Sequence, residues 1–399
     1  MSEHVENIST AVATEKKFAP ITLTLVWCGL VVVSSLYITI PLVSTFTDSF
    51  GVSQSQAAWT TSAFSFAYAM GLLLLSPLSE KYGRKQLMLA GLVALAVITP
   101  VLGLFDSFLS MVVLRSVQGF AASAFAPAVL AYVVEMFPPE KRVTTIGFVS
   151  TGFLAAGIAG QVFSGLVSQN LGWTYVFYLL GGVYLLSALA LAKFVPKTEI
   201  REKTVQSTAP FRQMGKLLFQ KPLFFCYFIT ATLLFSFVGM YTVLGDYLSQ
   251  PPISLDANQM QMVRAAGIVG MLLSPLAGRL VERWGMRRVL QGGLVLATVG
   301  IGLMGTSASL AFLTFMSVLF VAGISVSVPT LISLIGHAAG AARGLAVSLY
   351  TFILFIGATL GPIVSSSLLM TGSHLITFGV LAALLGAAFV STFFTHARS

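Results

Sequence analysis

Arg115 lies well inside the apolar run 107–136, and Gln118 follows almost one helical turn later on the same face. A guanidinium with an amide beside it can bind a substrate or take part in proton coupling. An unpaired charge at such depth in an apolar medium costs on the order of a few kcal/mol, so Arg115 must face a cavity, a partner or water. Two uses fit: substrate binding or proton coupling, shared with Gln118, or a structural bond to backbone carbonyls of the first or fifth apolar run. Asp246 and Arg264 stand near the ends of two later runs. A salt bridge between them at the rim is the expected arrangement. Proton carriage by Asp246 is the sharper alternative, but a carboxylate so near the surface is easily hydrated.

A second set of residues forms a pair of short basic loops. Ser76-Pro77-Leu78-Ser79-Glu80-Lys81-Tyr82-Gly83-Arg84-Lys85 returns in outline as Gly278-Arg279-Leu280-Val281-Glu282-Arg283-Trp284-Gly285-Met286-Arg287-Arg288. Gly83 and Gly285 permit a tight turn between helices. Glu80 and Glu282 can each face the N-terminus of a neighbouring helix, where the helix dipole favours negative charge. Arg84 and Glu135 supply a second contact, and Arg287 stands in the second copy. The pattern suits a latch between helices. Plain anchoring of loops by charge is the alternative, yet anchoring needs only Lys or Arg, whereas here an acid and a glycine recur at fixed spacing.

Other chemistry lacks its residues. His4, His337, His374 and His396 fall at the ends of apolar runs or in tails, and the sequence has no Gly-rich loop ending in Lys-Ser or Lys-Thr to hydrolyse ATP. Cys28 and Cys226 sit singly within apolar runs and read as packing residues. No enzyme, no metal centre and no cofactor is expected, so work must be driven by an ion gradient, a proton gradient first, or run downhill.

The elements that position these residues follow from composition. Of 399 residues, 56% are hydrophobic and 9% charged, where a soluble domain carries roughly 25% charged residues. Such a chain has to face lipid. It divides into twelve apolar runs near 21–45, 54–78, 86–104, 107–136, 143–169, 173–194, 222–248, 259–281, 289–306, 309–336, 344–371 and 374–394. Each is long enough for the about 20 residues that a membrane helix needs. The net charge is +9, but 20 of the 22 Lys and Arg residues fall in alternate loops and tails, all except Arg115 and Arg264. By the positive-inside rule that side, with both termini, is cytoplasmic. The positive charge is thus explained by topology, and no nucleic acid is implied.

The two halves repeat. Glu80 and Glu282 are 202 residues apart, as are Gly83 and Gly285, and Pro127 and Pro329. Arg142 and Arg343 are 201 apart, as are Gly160 and Gly361. A parallel repeat about an axis normal to the membrane is the simplest account. The expected organisation is a tail at 1–20, a six-helix half at 21–194, a linker at 195–221, a second half at 222–394 and a tail at 395–399. Within the linker, Phe211, Met214, Leu217 and Leu218 share one face, as in an interfacial helix; a solvated linker is the alternative. Pro127 and Pro329 are expected kinks in spans four and ten.

Over essentially the whole chain these residues resemble the major facilitator superfamily. The loop after span two is similar to its Gly-x-Leu-a-Asp-r-x-Gly-r-k signature, with Ser76 for the first Gly and Glu80 for Asp. Arg115-Ser116-Val117-Gln118-Gly119 looks like its Arg-x-x-Gln-Gly motif. In span five, Gly157-Ile158-Ala159-Gly160-Gln161-Val162-Phe163-Ser164-Gly165 resembles the exporters' Gly-Pro-x-x-Gly-Gly motif, with Gln161 at the Pro and Ser164 at a Gly. The Tyr37-to-Pro41 stretch, Gly51-Val52-Ser53 and Gly172-Trp173 look most like bacterial YnfM-type exporters and the drug:proton antiporter group.

The resemblance implies an all-α integral membrane protein of twelve transmembrane helices in two six-helix halves. It implies alternating access, a loop latch that stabilises the outward-open state, and a tightly packed span five that limits proton leak. It places the protein in a bacterial cytoplasmic membrane, and a monomer is expected. The cargo expected is a small lipophilic or amphipathic compound exported against a proton gradient. Tyr37, Gln161, Tyr241 and Tyr350 join Arg115, Gln118 and Asp246 as candidates to line its path. An apolar, aromatic cavity suits such a compound better than a sugar or phosphate; packing and lipid contact are the alternative uses of those aromatics. Import or uniport of an organic solute, or a lipid-moving or sensing role, stays open.

Overall fold

The computed structural model describes residues 2–197, 210–255, 257–370 and 373–395, with side chains at these positions except 2–17, 54, 55, 76, 80, 210, 211, 257, 258, 261 and 341. Its order is α1 (Ser2–Ser34), α2 (Val43–Phe50), α3 (Gln54–Ala57), α4 (Trp59–Leu74), α5 (Ser76–Tyr82), α6 (Arg84–Val101), α7 (Phe108–Ala122), α8 (Ala126–Met136) and α9 (Pro139–Leu171). There follow α10 (Trp173–Phe194), α11 (Pro210–Leu218), α12 (Lys221–Ser249), α13 (Ala257–Met271), α14 (Ala277–Trp284), α15 (Met286–Met304), α16 (Leu310–Ala338), α17 (Arg343–Leu369) and α18 (His374–Ser391). Lipid offers no hydrogen bonds, so a spanning chain without a closed barrel has to be helical. Among the described residues nine helices are long and apolar enough to cross a membrane, and Phe18–Ser34 is a shorter apolar one. The remaining two of the twelve spans are α4–α5, bent at Leu75, and α15, whose first turn carries Arg287 and Arg288.

The first span departs from its expected 21–45 course. Its helix ends at Ser34, residues 35–42 run as turns, and α2 then restarts the chain. Pro41 has no N–H to continue a helix and pushes Ile40 out of helical geometry. The hydroxyls of Ser34 and Ser35 bond back to the carbonyls of Leu30 (2.7 Å) and Val32 (2.5 Å). Span four also breaks, at 123–125, just before Pro127. Its repeat partner Pro329 lies inside the unbroken α16, so of the two expected kinks Pro127 marks a helix break and Pro329 none.

The chain forms two compact units, Met1–Val129 with Gly152–Ile200, and Leu130–Thr151 with Arg201–Ser399. This differs from a division at the linker: 130–151 belongs to the second unit. In unit 1, α4 packs on α7 and α6 on α10; in unit 2, α12 packs on α17 and α15 on α16. The repeat is visible in these contacts. A Cβ on Gly160 would stand 2.6 Å from the Ser34 carbonyl, and one on Gly361 would overlap the Phe235 carbonyl. Ser34 and Phe235, like Gly160 and Gly361, are 201 positions apart. The same backbone approach is therefore built twice.

The linker helix α11 presses Met214 and Leu217 inward against α12 and α17 and keeps Arg212 and Lys216 exposed. Its apolar face is thus covered by protein. Residues 198–209 and the tail 396–399 lie outside the described residues.

Candidate functional site

Arg115 is fully buried, and its bonds reach into the break in span one. Its Nε donates to the Thr60 carbonyl (3.1 Å), Nη1 to Gln118 Oε1 (2.6 Å), and Nη2 to the Ser35 carbonyl (3.0 Å) and Thr39 Oγ1 (3.4 Å). The Phe64 ring lies 4.3 Å below the guanidinium. Gln118 passes the chain of bonds to Thr99 Oγ1 (2.8 Å) on α6. Ser35 stands where α1 has ended, so its carbonyl has lost its helical donor and the guanidinium supplies one. Arg115 thus ties the unwound stretch, α4 and α6 to α7, and the backbone-carbonyl use foreseen for it is realised with spans one and two. In this conformation it presents no open face to a ligand.

Span five covers the same unwound stretch from another side. Ser164 Oγ donates to the Ile38 carbonyl (2.6 Å), Ser34 Oγ to the Ala156 carbonyl (3.2 Å), and Gly157 leaves room for the Tyr37 ring 3.7 Å away. Gln161 donates to the Gly157 carbonyl in its own helix (2.7 Å). Tyr350, on α17 in unit 2, is fully buried, and its hydroxyl has no partner among the described residues.

The latch candidates divide. Gly83 (φ +95°) and Gly285 (φ +81°) take almost the same left-handed backbone between consecutive helices, at which any side chain would be strained. Arg84 is buried and donates to Ser79 Oγ within its own loop. The Glu80 side chain lies outside the described residues. Glu135 is half-buried near the end of α8, and Glu282 is exposed on α14. Arg287 lies 5.1 Å from the Phe393 ring centre.

A second fastening, which the sequence reading missed, runs along small residues of unit 2. Thr144, Gly147 and Thr151 make one stripe of α9; Met271, Ser274 and Gly278 make the facing stripe at the end of α13 and start of α14. A Cβ on Gly147 would overlap the Ser274 carbonyl, and one on Gly278 would overlap Thr144 Oγ1. Thr151 Oγ1 lies 3.2 Å from the Met271 carbonyl. Beside this seam Val143 joins a buried cluster with Ala277, Val289 and Val326. The basic half of α9 is therefore held in unit 2, although its far half packs on α1. The spacing of 3 and 4 residues on both stripes was a usable signal.

The expected rim pair is different from the one observed. Asp246 Oδ2 lies 2.7 Å from His374 Nε2 and accepts from Gln250 Nε2 at 2.9 Å; it does not pair with Arg264. The reason is position: His374 opens α18, which packs on α12, and Tyr247 holds its ring at a centroid distance of 4.9 Å. Asp246 is 41% exposed, so the pair is screened by water and is worth below about 1 kcal/mol. Asp246→Asn is expected to leave both thermal unfolding and transport rate near wild type in reconstituted vesicles; loss of gradient-driven transport would instead make Asp246 the proton carrier.

Comparison with known proteins agrees with this architecture. The chain matches the family model described as Major Facilitator Superfamily over residues 25–263 and 223–399. It is 27% identical over 380 residues to an uncharacterized MFS-type transporter of Bacillus subtilis, YybF, covering 92% of each chain. It is also 27% identical over 294 residues to the Escherichia coli inner membrane transport protein YnfM, covering 71% of this chain and 67% of that one. Among solved structures, FucP, a transporter of the same superfamily in the outward conformation, superposes with a TM-score of 0.78 at 15% identity, covering 96% of this chain and 100% of that one.

Proposed function

Because this chain belongs to the Major Facilitator Superfamily, and so is a multi-pass membrane transporter and not an enzyme, we propose that it exports small lipophilic or amphipathic compounds in exchange for protons by alternating access. The observation that carries this reading is the seal between span five and span one. Gly160 sits on the Ser34 carbonyl and Ser164 donates to the Ile38 carbonyl, so two positions of the exporter-like motif press on the end of α1 and the unwound stretch that follows it. A close helix contact there leaves little room for water and hence for protons. The protein works as a monomer in the cytoplasmic membrane of a bacterium, with both termini in the cytoplasm.

A second reading, uniport or gradient-independent exchange, has its own support. None of the buried polar side chains among the described residues is Asp or Glu; the buried charges are Arg84 and Arg115. Everted vesicles carrying an imposed proton gradient separate the two. Candidate compounds are expected to dissipate the gradient, read as reversal of dye quenching, in vesicles containing the protein and not in empty ones. Accumulation of a compound without any gradient response would remove the proton coupling.

A further inference from the structure

We propose that Arg264 and Tyr241 form an anion subsite in unit 2 that takes the carboxylate of an aromatic organic acid. The inference rests on the transport reading above and narrows its cargo. Arg264 lies in the second turn of α13 (Ala257–Met271), near the end of its span. An arginine at a helix end can reach water, but any of its donors that is buried there needs a partner. The expected partner, Asp246, is taken by His374 and Gln250. Arg264 Nε is buried and has no hydrogen-bond partner, and its Nη2 lies against Gly245, 3.2 Å from where a Cβ would stand. The residue as a whole is half-buried.

Tyr241 supplies the second donor. Its hydroxyl is buried, has no partner, and is directed at Gly267, one turn beyond Arg264 on α13, where any Cβ would overlap it. Two unsatisfied donors from adjacent helices, one of them charged, make a site for two oxygens on one atom. A carboxylate can accept from a guanidinium and from a phenolic O–H together. Beside them stand aromatic rings: Phe237 lies 5.3 Å from the Tyr241 ring, edge to face, and 6.4 Å from Phe320, stacked. An amphipathic acid with a flat apolar body fits this wall, whereas a cationic compound would meet Arg264 with like charge.

Three probes with one ring system test the charge directly: 2-naphthoate, the neutral 2-naphthamide and the cation 2-naphthylmethylammonium. Binding is read from ligand-dependent thermal unfolding of the full-length protein in lipid nanodiscs. Wild type is expected to bind the naphthoate more tightly than either analogue. Arg264→Gln is expected to weaken the naphthoate by roughly tenfold or more and leave the amide unchanged, as loss of a charge-assisted pair requires. Tyr241→Phe, which removes a hydroxyl alone, is expected to weaken it by a smaller factor. The proposal is overturned if the naphthoate does not bind at millimolar concentration, if the amide or the cation binds as well as the acid, or if the acid preference survives Arg264→Gln. Preference for the cation would leave secondary transport standing, whereas selective naphthoate binding without vesicle transport would sink the transport reading and keep the subsite.

Discussion

Gly147→Val is expected to insert normally in the membrane and to lose at least most of its transport. A Cβ at this position would overlap the Ser274 carbonyl and stand 2.9 Å from the Pro275 Cα, both of them backbone groups that cannot rotate away. Overpacking of this kind costs about 1–3 kcal/mol, which is roughly 5- to 150-fold in an equilibrium between conformers. The cost falls on any state in which α9 and the α13–α14 segment are closed, and leaves open states untouched. Gly278→Val acts on the same seam through Thr144. Gly292→Val is the control, since a Cβ there meets nothing within 4 Å. Initial transport rates in vesicles, normalised to protein content, decide the matter; wild-type rates for Gly147→Val would show that the seam does not take part in the cycle.

Arg115→Lys is expected to fail almost as badly as Arg115→Met. The guanidinium serves acceptors on Ser35, Thr39, Thr60 and Gln118 from one planar fork. An ammonium has three donors at a single point and cannot span them. Each buried acceptor left without a donor costs about 1–3 kcal/mol. Cys28 and Cys226 give a convenient probe, because both thiols are fully buried and become reactive to a thiol-directed dye as the protein unfolds. Both variants are expected to unfold several degrees below wild type and to transport poorly. A lysine variant with unchanged unfolding temperature and rate would show that Arg115 acts through its charge alone.

Legibility in the sequence depended on what each feature rests upon. The spans, the repeat and the two glycine turns were readable because lipid imposes a length and a composition, and because only glycine suits the backbone at Gly83 and Gly285. Arg115 and Gln118 were identified as important from depth alone, but their partners were not, since backbone carbonyls carry no mark in a sequence. The break in span one was hidden for the same reason: Ile38, Thr39 and Ile40 continue the apolar pattern, and only Pro41 hinted at it. Asp246 was matched with Arg264 because both lay near span ends. The identity of the neighbour depended on helix packing, which brought His374 to α12. The seam at Gly147 carries no charge to mark it in the sequence, since closeness there is achieved by small residues.

The knot of bonds at Arg115 also bears on how the protein is made. When the first span leaves the ribosome, span four has not yet been synthesised, and the Ser35 carbonyl has no guanidinium to receive it. A backbone group in lipid without a partner is costly, so the nascent first span is best served by a helix that continues past Ser35 as far as Pro41 allows. Its final break becomes affordable when Arg115 arrives, about 80 residues later in the chain. The shape of the first span is thus completed by the fourth, and the order of synthesis is the reverse of the order in which the geometry is determined.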